Sequence, residues 1–223
     1  MMYRLFIFLL VVVNVSLHSQ AASFSLTEIA SGFNSPWALT FIDANHVLVT
    51  EKAGVFQWYS IPSEKRQSIP HNLDVKMVGQ GGLLDVLVDK GWVYVTYSEN
   101  RGKGFTGTSV ARALFNTKRL VFTSLFRAEP ALQSMIHFGS RLVIKDDYLF
   151  VTLGERGQGM IAQDGTQHPG SIVRLHLDGR IPSDNPKFDD HPDWLPEIFQ
   201  IGVRNPQGIA LSSYDGEIYM SNH

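Results

Sequence analysis

Residues 141–152, Arg141-Leu142-Val143-Ile144-Lys145-Asp146-Asp147-Tyr148-Leu149-Phe150-Val151-Thr152, read as two short apolar runs around a polar turn. Runs of this length bounded by Asp, Asn or Gly are strand-like, and two of them joined by a tight turn make a hairpin. The unit recurs three times: Trp37–Ile42 then Val47–Thr50, Leu83–Val88 then Val93–Thr96, and Gly208–Leu211 then Ile218–Ser221. A third strand is expected at Val55–Tyr59, Ser109–Phe115 and Ser171–Leu177, and a fourth at Leu120–Arg127 and Glu197–Gly202. After the first residues, no stretch carries apolar residues at the three-and-four spacing of a helix. The chain is predicted to be all-β.

The hydroxyl residues Thr50, Thr96, Thr152 and Ser221 mark the register, 46, 56 and 69 residues apart. Repeats of roughly 40 to 50 residues with up to four strands each are the signature of β-propeller blades. The longer spacings need inserted loops, and 154–169 and 182–196 are rich enough in Gly, Pro, Asp and Asn to supply them. A polar residue stands 15 or 16 positions ahead of each marker: Asn34, Gln80, His137 and Asn205. Turns favour polar residues, which explains each one singly. A shared phase across the four units also predicts that they converge at one end of a central channel.

Composition narrows the rest. Of 223 residues, 44% are hydrophobic and 18% charged, and the formal net charge is −2 with no long run of one sign, which argues against a nucleic-acid partner. Residues 1–21 read as a signal peptide: Arg4, the apolar run Leu5–Val13, and small residues at Ser19 and Ala21 ahead of a cleavage site. The run is short for a membrane span, so no membrane association is expected after cleavage, and the mature chain 22–223 is expected to be periplasmic or secreted. The absence of cysteine excludes disulfides, thiolate metal sites and cysteine nucleophiles. His168, His176 and His191 lack the pair spacing of metal ligands and are expected to be solvated. Gly154-Glu155-Arg156-Gly157-Gln158-Gly159 has the glycines of a dinucleotide turn, but no helical pattern follows it.

Several motifs together resemble one family. Pro36-Trp37-Ala38-Leu39, Gly79-Gln80-Gly81-Gly82-Leu83-Leu84-Asp85, His137-Phe138-Gly139-Ser140-Arg141-Leu142, Ala162-Gln163-Asp164, Ile181–Pro186 and Arg204-Asn205-Pro206-Gln207-Gly208 are similar, in order and spacing, to the soluble aldose sugar dehydrogenases that use pyrroloquinoline quinone (PQQ), the glucose/sorbosone dehydrogenase family. The resemblance covers nearly all of residues 22–223. It implies a six-bladed propeller with PQQ and calcium at the channel, oxidising aldoses to lactones and passing electrons to an external acceptor. It assigns His137 as general base, Arg204 as the cation facing the quinone oxygen, Gln80, Asn205 and Gln207 as polar cofactor contacts, and Arg156 as a substrate contact. Ile136 stands where the family usually carries a polar residue.

The four units amount to about three and a half blades, and an open propeller leaves an unpaired edge. The sequence is therefore expected to be a fragment, a truncated product or part of an assembly. The family's calcium ligands and the basic residues that grip the PQQ carboxylates are expected beyond His223, so this portion alone is expected to be inactive. The rival from another class is a non-catalytic propeller that binds carbohydrate or protein; such a scaffold has no need of the set His137, Arg204 and Gln80.

Overall fold

The computed structural model describes residues 24–188 and 190–223; the expected signal peptide lies outside them. The fold consists of consecutive antiparallel sheets, each a meander of sequential strands. The first holds β1 (Pro36–Asp43), β2 (His46–Glu51), β3 (Val55–Ser60) and β4 (Lys65–Ile69). The second holds β5 (Leu83–Asp89), β6 (Trp92–Asn100), β7 (Thr106–Leu114) and β8 (Thr123–Arg127). The third holds β9 (Gly139–Lys145), β10 (Tyr148–Leu153), β11 (Ser171–His176) and β12 (Ile198–Ile201), and the last pairs β13 (Pro206–Leu211) with β14 (Ile218–Asn222). This is the blade order of a β-propeller, with three four-stranded blades and a two-stranded one.

The apolar runs become strands because both faces of them are covered, by neighbouring sheets or, for one face of β2, by Ala30 and Phe33 of the segment ahead of it. Val47–Glu51 of β2, Val93–Ser98 of β6 and Leu149–Leu153 of β10 are buried without a break. One core layer, with Leu48, Phe56, Leu83, Val95 and Phe122, lies between the first two sheets. A second, with Tyr94, Phe126, Leu142, Val151 and Val173, lies between the second and third. Burying a Leu or Phe side chain contributes about 1.5–3 kcal/mol, so these layers hold the sheets face to face. The turn between β5 and β6 is Lys90-Gly91, both with positive φ, as a two-residue hairpin turn requires.

The strand β4 was not foreseen. Lys65-Arg66-Gln67-Ser68 carries no hydrophobic period, and its residues are exposed at the outer edge, where charged side chains discourage pairing with another chain. Outside the strands, Gly159–Gln163 forms one 3-10 turn, also unforeseen.

The register hydroxyls have a structural task. Thr50 Oγ1 accepts the Ala38 amide of its own sheet at 3.1 Å and donates to the Leu84 carbonyl of the next at 2.6 Å. Thr96 accepts from Asp85 and donates to Ser140, at 2.9 and 2.7 Å. Thr152 accepts from Arg141 at 3.0 Å and donates to Pro206 at 3.4 Å. Each sits beside a register shift in the pairing of its sheet's first two strands, where the ladder leaves an amide free. One side chain thus satisfies that amide and fastens the next sheet. The carboxylate of Asp85 adds a further tie, accepting the Leu142 amide at 2.8 Å. Burial raises its carboxyl above the ordinary range, against the pull of that amide and of Arg141.

Candidate active site

The innermost strands β5, β9 and β13 begin at the same end of the molecule, and the segments leading into them are bound to one another. The Gln80 side chain accepts the His137 amide at 2.7 Å, and Asn205 Oδ1 accepts the Gly139 amide at 3.1 Å. Gln207 Nε2 donates to Asn205 Oδ1 at 2.9 Å. Asn34 belongs to the corresponding lead into β1, its amide donating to Glu51 at 2.8 Å. Gln80 and His137 are therefore bonded directly, and Asn205 holds the same turn two residues further on, at Gly139.

His137 itself has a left-handed backbone, φ +53°, followed by Gly139 at +62° and Ser140 at +77°. A left-handed histidine is uncommon and costs roughly 1–3 kcal/mol, which the surrounding contacts must offset. The turn also depends on Gly154, the residue after β10. A Cβ there would lie 2.0 Å from the His137 carbonyl oxygen, so only glycine lets the two segments cross.

The imidazole is nine-tenths buried, and its Nδ1 is bonded to Glu155 Oε1. The second oxygen of Glu155 accepts the Gly159 amide at 2.6 Å, and its own amide donates to the Arg204 carbonyl at 2.8 Å. Burial pushes the Glu155 carboxyl up, but the His137 ring and the amides of Gly159 and Gly157 outweigh it and hold it below the usual glutamate range. An ionised carboxylate on Nδ1 keeps the proton on that nitrogen and leaves Nε2 with a lone pair. A cleft of about 520 Å³ opens here, lined among others by Ile136, His137, Glu155, Gly157, Gln163 and Arg204. Arg204 is exposed on its wall and bonds through Nη1 to His223. The arrangement can take a proton from a substrate hydroxyl beside a fixed cation.

Glu155 was missed by the sequence reading, which treated residues 154–159 as a chance glycine pattern. The signal lay in the hairpin: Leu153 pairs with Gly139, so two residues further along on either side stand Glu155 and His137. Arg156, expected to contact substrate, does not line the cleft. Its guanidinium is buried, donates to the carbonyls of Ile136, Thr106 and Ser134 and to Thr106 Oγ1, and lies 3.7 Å over the Phe138 ring. His168, expected to be solvated, is buried: Nδ1 accepts the Glu129 amide at 2.8 Å, and Nε2 meets Glu197 at 2.8 Å. Among the described residues, no cluster of three or more His, Asp or Glu side chains could hold a metal ion.

The Glu155 carboxylate makes a testable contribution. Its value when folded lies below its unfolded one, so it stabilises the fold above the unfolded glutamate range, and that stabilisation is lost as the pH falls through the folded value. Glu155→Gln is expected to flatten this acid-side loss in unfolding experiments across pH. Where the imidazole serves as a base, the same change is expected to lower turnover by up to about 10⁴-fold, because an amide can present its N–H to Nδ1 and favour the wrong tautomer. An unchanged pH dependence of stability together with unchanged turnover would remove Glu155 from the account.

Comparison with known proteins bears on the fold and the family. An aldose sugar dehydrogenase of Escherichia coli K12 is 33% identical over 224 aligned residues, covering 96% of this chain and 60% of the relative. The crystal structure of the soluble E. coli aldose sugar dehydrogenase in its apo form superposes with a TM-score of 0.80 at 35% identity, over 85% of this chain and 57% of that one. The PQQ-bound aldose sugar dehydrogenase of Streptomyces coelicolor shares the fold, with a TM-score of 0.75 at 24% identity over 88% of this chain and 59% of that one. The chain thus spans about 60% of the length of the curated E. coli relative. With residues 33–223 matching the Glucose / Sorbosone dehydrogenase family model, and with the E. coli relative 33% identical over 96% of the chain, this chain belongs to the glucose/sorbosone dehydrogenase family.

Proposed function

We propose that the chain carries the base-bearing part of a PQQ-dependent dehydrogenase that oxidises aldoses at the anomeric carbon to lactones. The observation that supports this most is the His137–Glu155 pair: Nδ1 is committed to a carboxylate, and the ring lines a cleft whose lining also includes Arg204. Bound in that cleft, PQQ would supply the two-electron acceptor for the hydrogen on the sugar's C1. His137 Nε2 takes the C1 hydroxyl proton. Glu155 holds the ring's tautomer and favours the imidazolium that results. Arg204, in the same lining, would offer the positive charge that stabilises negative charge on the acceptor. Gln80 and Asn205 hold the backbone on either side of the base through bonds already made within the protein.

The donor set fits an anionic planar group in kind: a guanidinium on one wall, and Glu155 as the one carboxylate in the lining, already engaged by His137. In number it falls short. PQQ carries three carboxylates, and Arg204 is the one Lys or Arg among the lining residues. Burying carboxylates without partners is strongly unfavourable, so residues 22–223 alone are proposed to be inactive. No calcium ligand is placed among the described residues. An external electron acceptor and a periplasmic or secreted location complete the proposal. Among the described residues, no helix is long and apolar enough to cross a membrane.

The test is dye reduction by the protein as its gene encodes it, given PQQ, calcium and a panel of aldoses, beside the 22–223 chain under the same conditions. Saturable, PQQ-dependent reduction by the gene product and none by the shorter chain is expected. Sugar binding without dye reduction by the gene product would favour the non-catalytic propeller instead.

A further inference from the structure

Arg156 is nearly as buried as any charged group in the described chain, with 3% of its surface exposed, and every partner of its guanidinium is neutral. A charge buried without a counter-ion is costly, and a fold keeps one where its donors do something a neutral side chain could not. Its acceptors show what that is. Nε donates to the Ile136 carbonyl at 3.1 Å, the peptide unit immediately ahead of His137. Nη2 donates to the Ser134 carbonyl at 2.6 Å, and the plane lies over the ring of Phe138, the residue immediately after His137. Nη1 and Nη2 also reach the Thr106 carbonyl and hydroxyl, at 3.0 and 2.8 Å, on the third strand of the preceding sheet. The backbone repeats the clamp: Ser134 Oγ donates to the Arg156 carbonyl at 2.7 Å, and the Arg156 amide reaches the His137 carbonyl at 3.3 Å. Arg156 has a left-handed backbone too, φ +58°, and its side chain packs on the 134–138 segment, outside the lining of the cleft.

We propose that Arg156 is the positioning residue for the base: its planar fork ties residues 134, 136 and 138 to the neighbouring sheet and so holds His137 in its left-handed turn, with the ring on Glu155. It does not touch substrate. The reason is geometric. Two carbonyls on one five-residue segment and two acceptors of Thr106 on another strand are met by donors fixed in one plane whose face covers Phe138, whereas a lysine ammonium at the same place could serve the carbonyls on one side only. The catalytic consequence rests on His137 being the base; the structural one does not.

The experiment is Arg156→Lys, read in two ways. In the gene product without cofactor, the His137 Nδ1 proton shared with Glu155 is expected to give a far-downfield proton NMR line, identified by its loss in His137→Asn. Arg156→Lys is expected to broaden that line away while far-UV circular dichroism stays unchanged. In the gene product supplied with PQQ, kcat is expected to fall by about 30-fold, with KM for the aldose changed less than about threefold, as for loss of an interaction that orients the reacting group. A retained downfield line, or a tenfold rise in KM with kcat kept, would overturn the proposal, the second by restoring Arg156 as a substrate contact. Absence of the line in the unsubstituted chain would overturn it as well. Should Arg156→Lys fail to fold, Thr106→Val removes one acceptor outside the cleft and is expected to broaden the same line; an unaltered line there would equally count against the clamp. If the gene product oxidises no aldose, the proposed function fails while the NMR comparison still decides the clamp.

Discussion

In a full-length version supplied with PQQ and calcium, His137→Ala is expected to lower aldose oxidation by about 10²- to 10⁴-fold, the usual cost of losing a general base. PQQ affinity, followed by titration of its absorbance, is expected to stay within a few-fold, because the bond from Gln80 is to the residue-137 amide and survives the substitution. Alanine is less at ease than histidine in a left-handed turn, so part of any loss could come from the backbone. His137→Asn separates the two causes: asparagine tolerates that conformation and cannot act as a base. Equal losses in both variants assign the effect to the imidazole. Near-normal turnover in either would mean that another group takes the proton.

The second large effect is expected at a residue with no side chain. Gly154→Ala would put a Cβ 2.0 Å from the His137 carbonyl oxygen, 2.5 Å from its carbonyl carbon and 2.9 Å from the Gly139 nitrogen. All three are backbone atoms in a turn that already holds left-handed residues, so they have nowhere easy to go. Either the β9–β10 hairpin splays or the 137–139 turn shifts, carrying the imidazole off Glu155. Overpacking of this kind costs about 1–3 kcal/mol, measurable as a lowered urea midpoint. The displaced base is expected to cost about 10²-fold in turnover on top of that, as a misplacement of about an ångström does. A variant with wild-type midpoint and turnover would show that the crossing is looser than described.

Much of this was legible in the sequence, and the reason differs from element to element. The strands β2, β6 and β10 announced themselves because both faces are covered, giving unbroken apolar runs between turn residues. The strand β4 gave no such sign, since an outer strand facing water needs no apolar face. The phase shared by Gln80, His137 and Asn205 placed them together because each precedes an innermost strand, and their bonds across the sheets follow from that position. Glu155 was hidden by its own burial: a lone carboxylate among glycines looks solvated until the antiparallel pairing sets it opposite His137. The destination of Arg156 could not be read at all, because three of its four acceptors are backbone carbonyls, of Thr106, Ser134 and Ile136, and a carbonyl leaves no mark in the residue type.

The hydroxyl contacts of Thr50, Thr96 and Thr152 bear on how such a chain can change over time. Each boundary between sheets is closed by the same small chemical device, one hydroxyl taking an amide from behind and giving its proton ahead. A boundary that is the same everywhere needs no private complement. Duplicating or deleting one whole repeat, cut just past its threonine, leaves every remaining junction with a donor and an acceptor of the right kind. Stability in such arrays is roughly a sum of repeat and neighbour contributions, so a rearrangement of that sort would be felt mainly at the two joints it touches. The constraint on blade number then falls on the mouth of the channel, where His137, Glu155 and their partners are each present once and no copy can stand in for another.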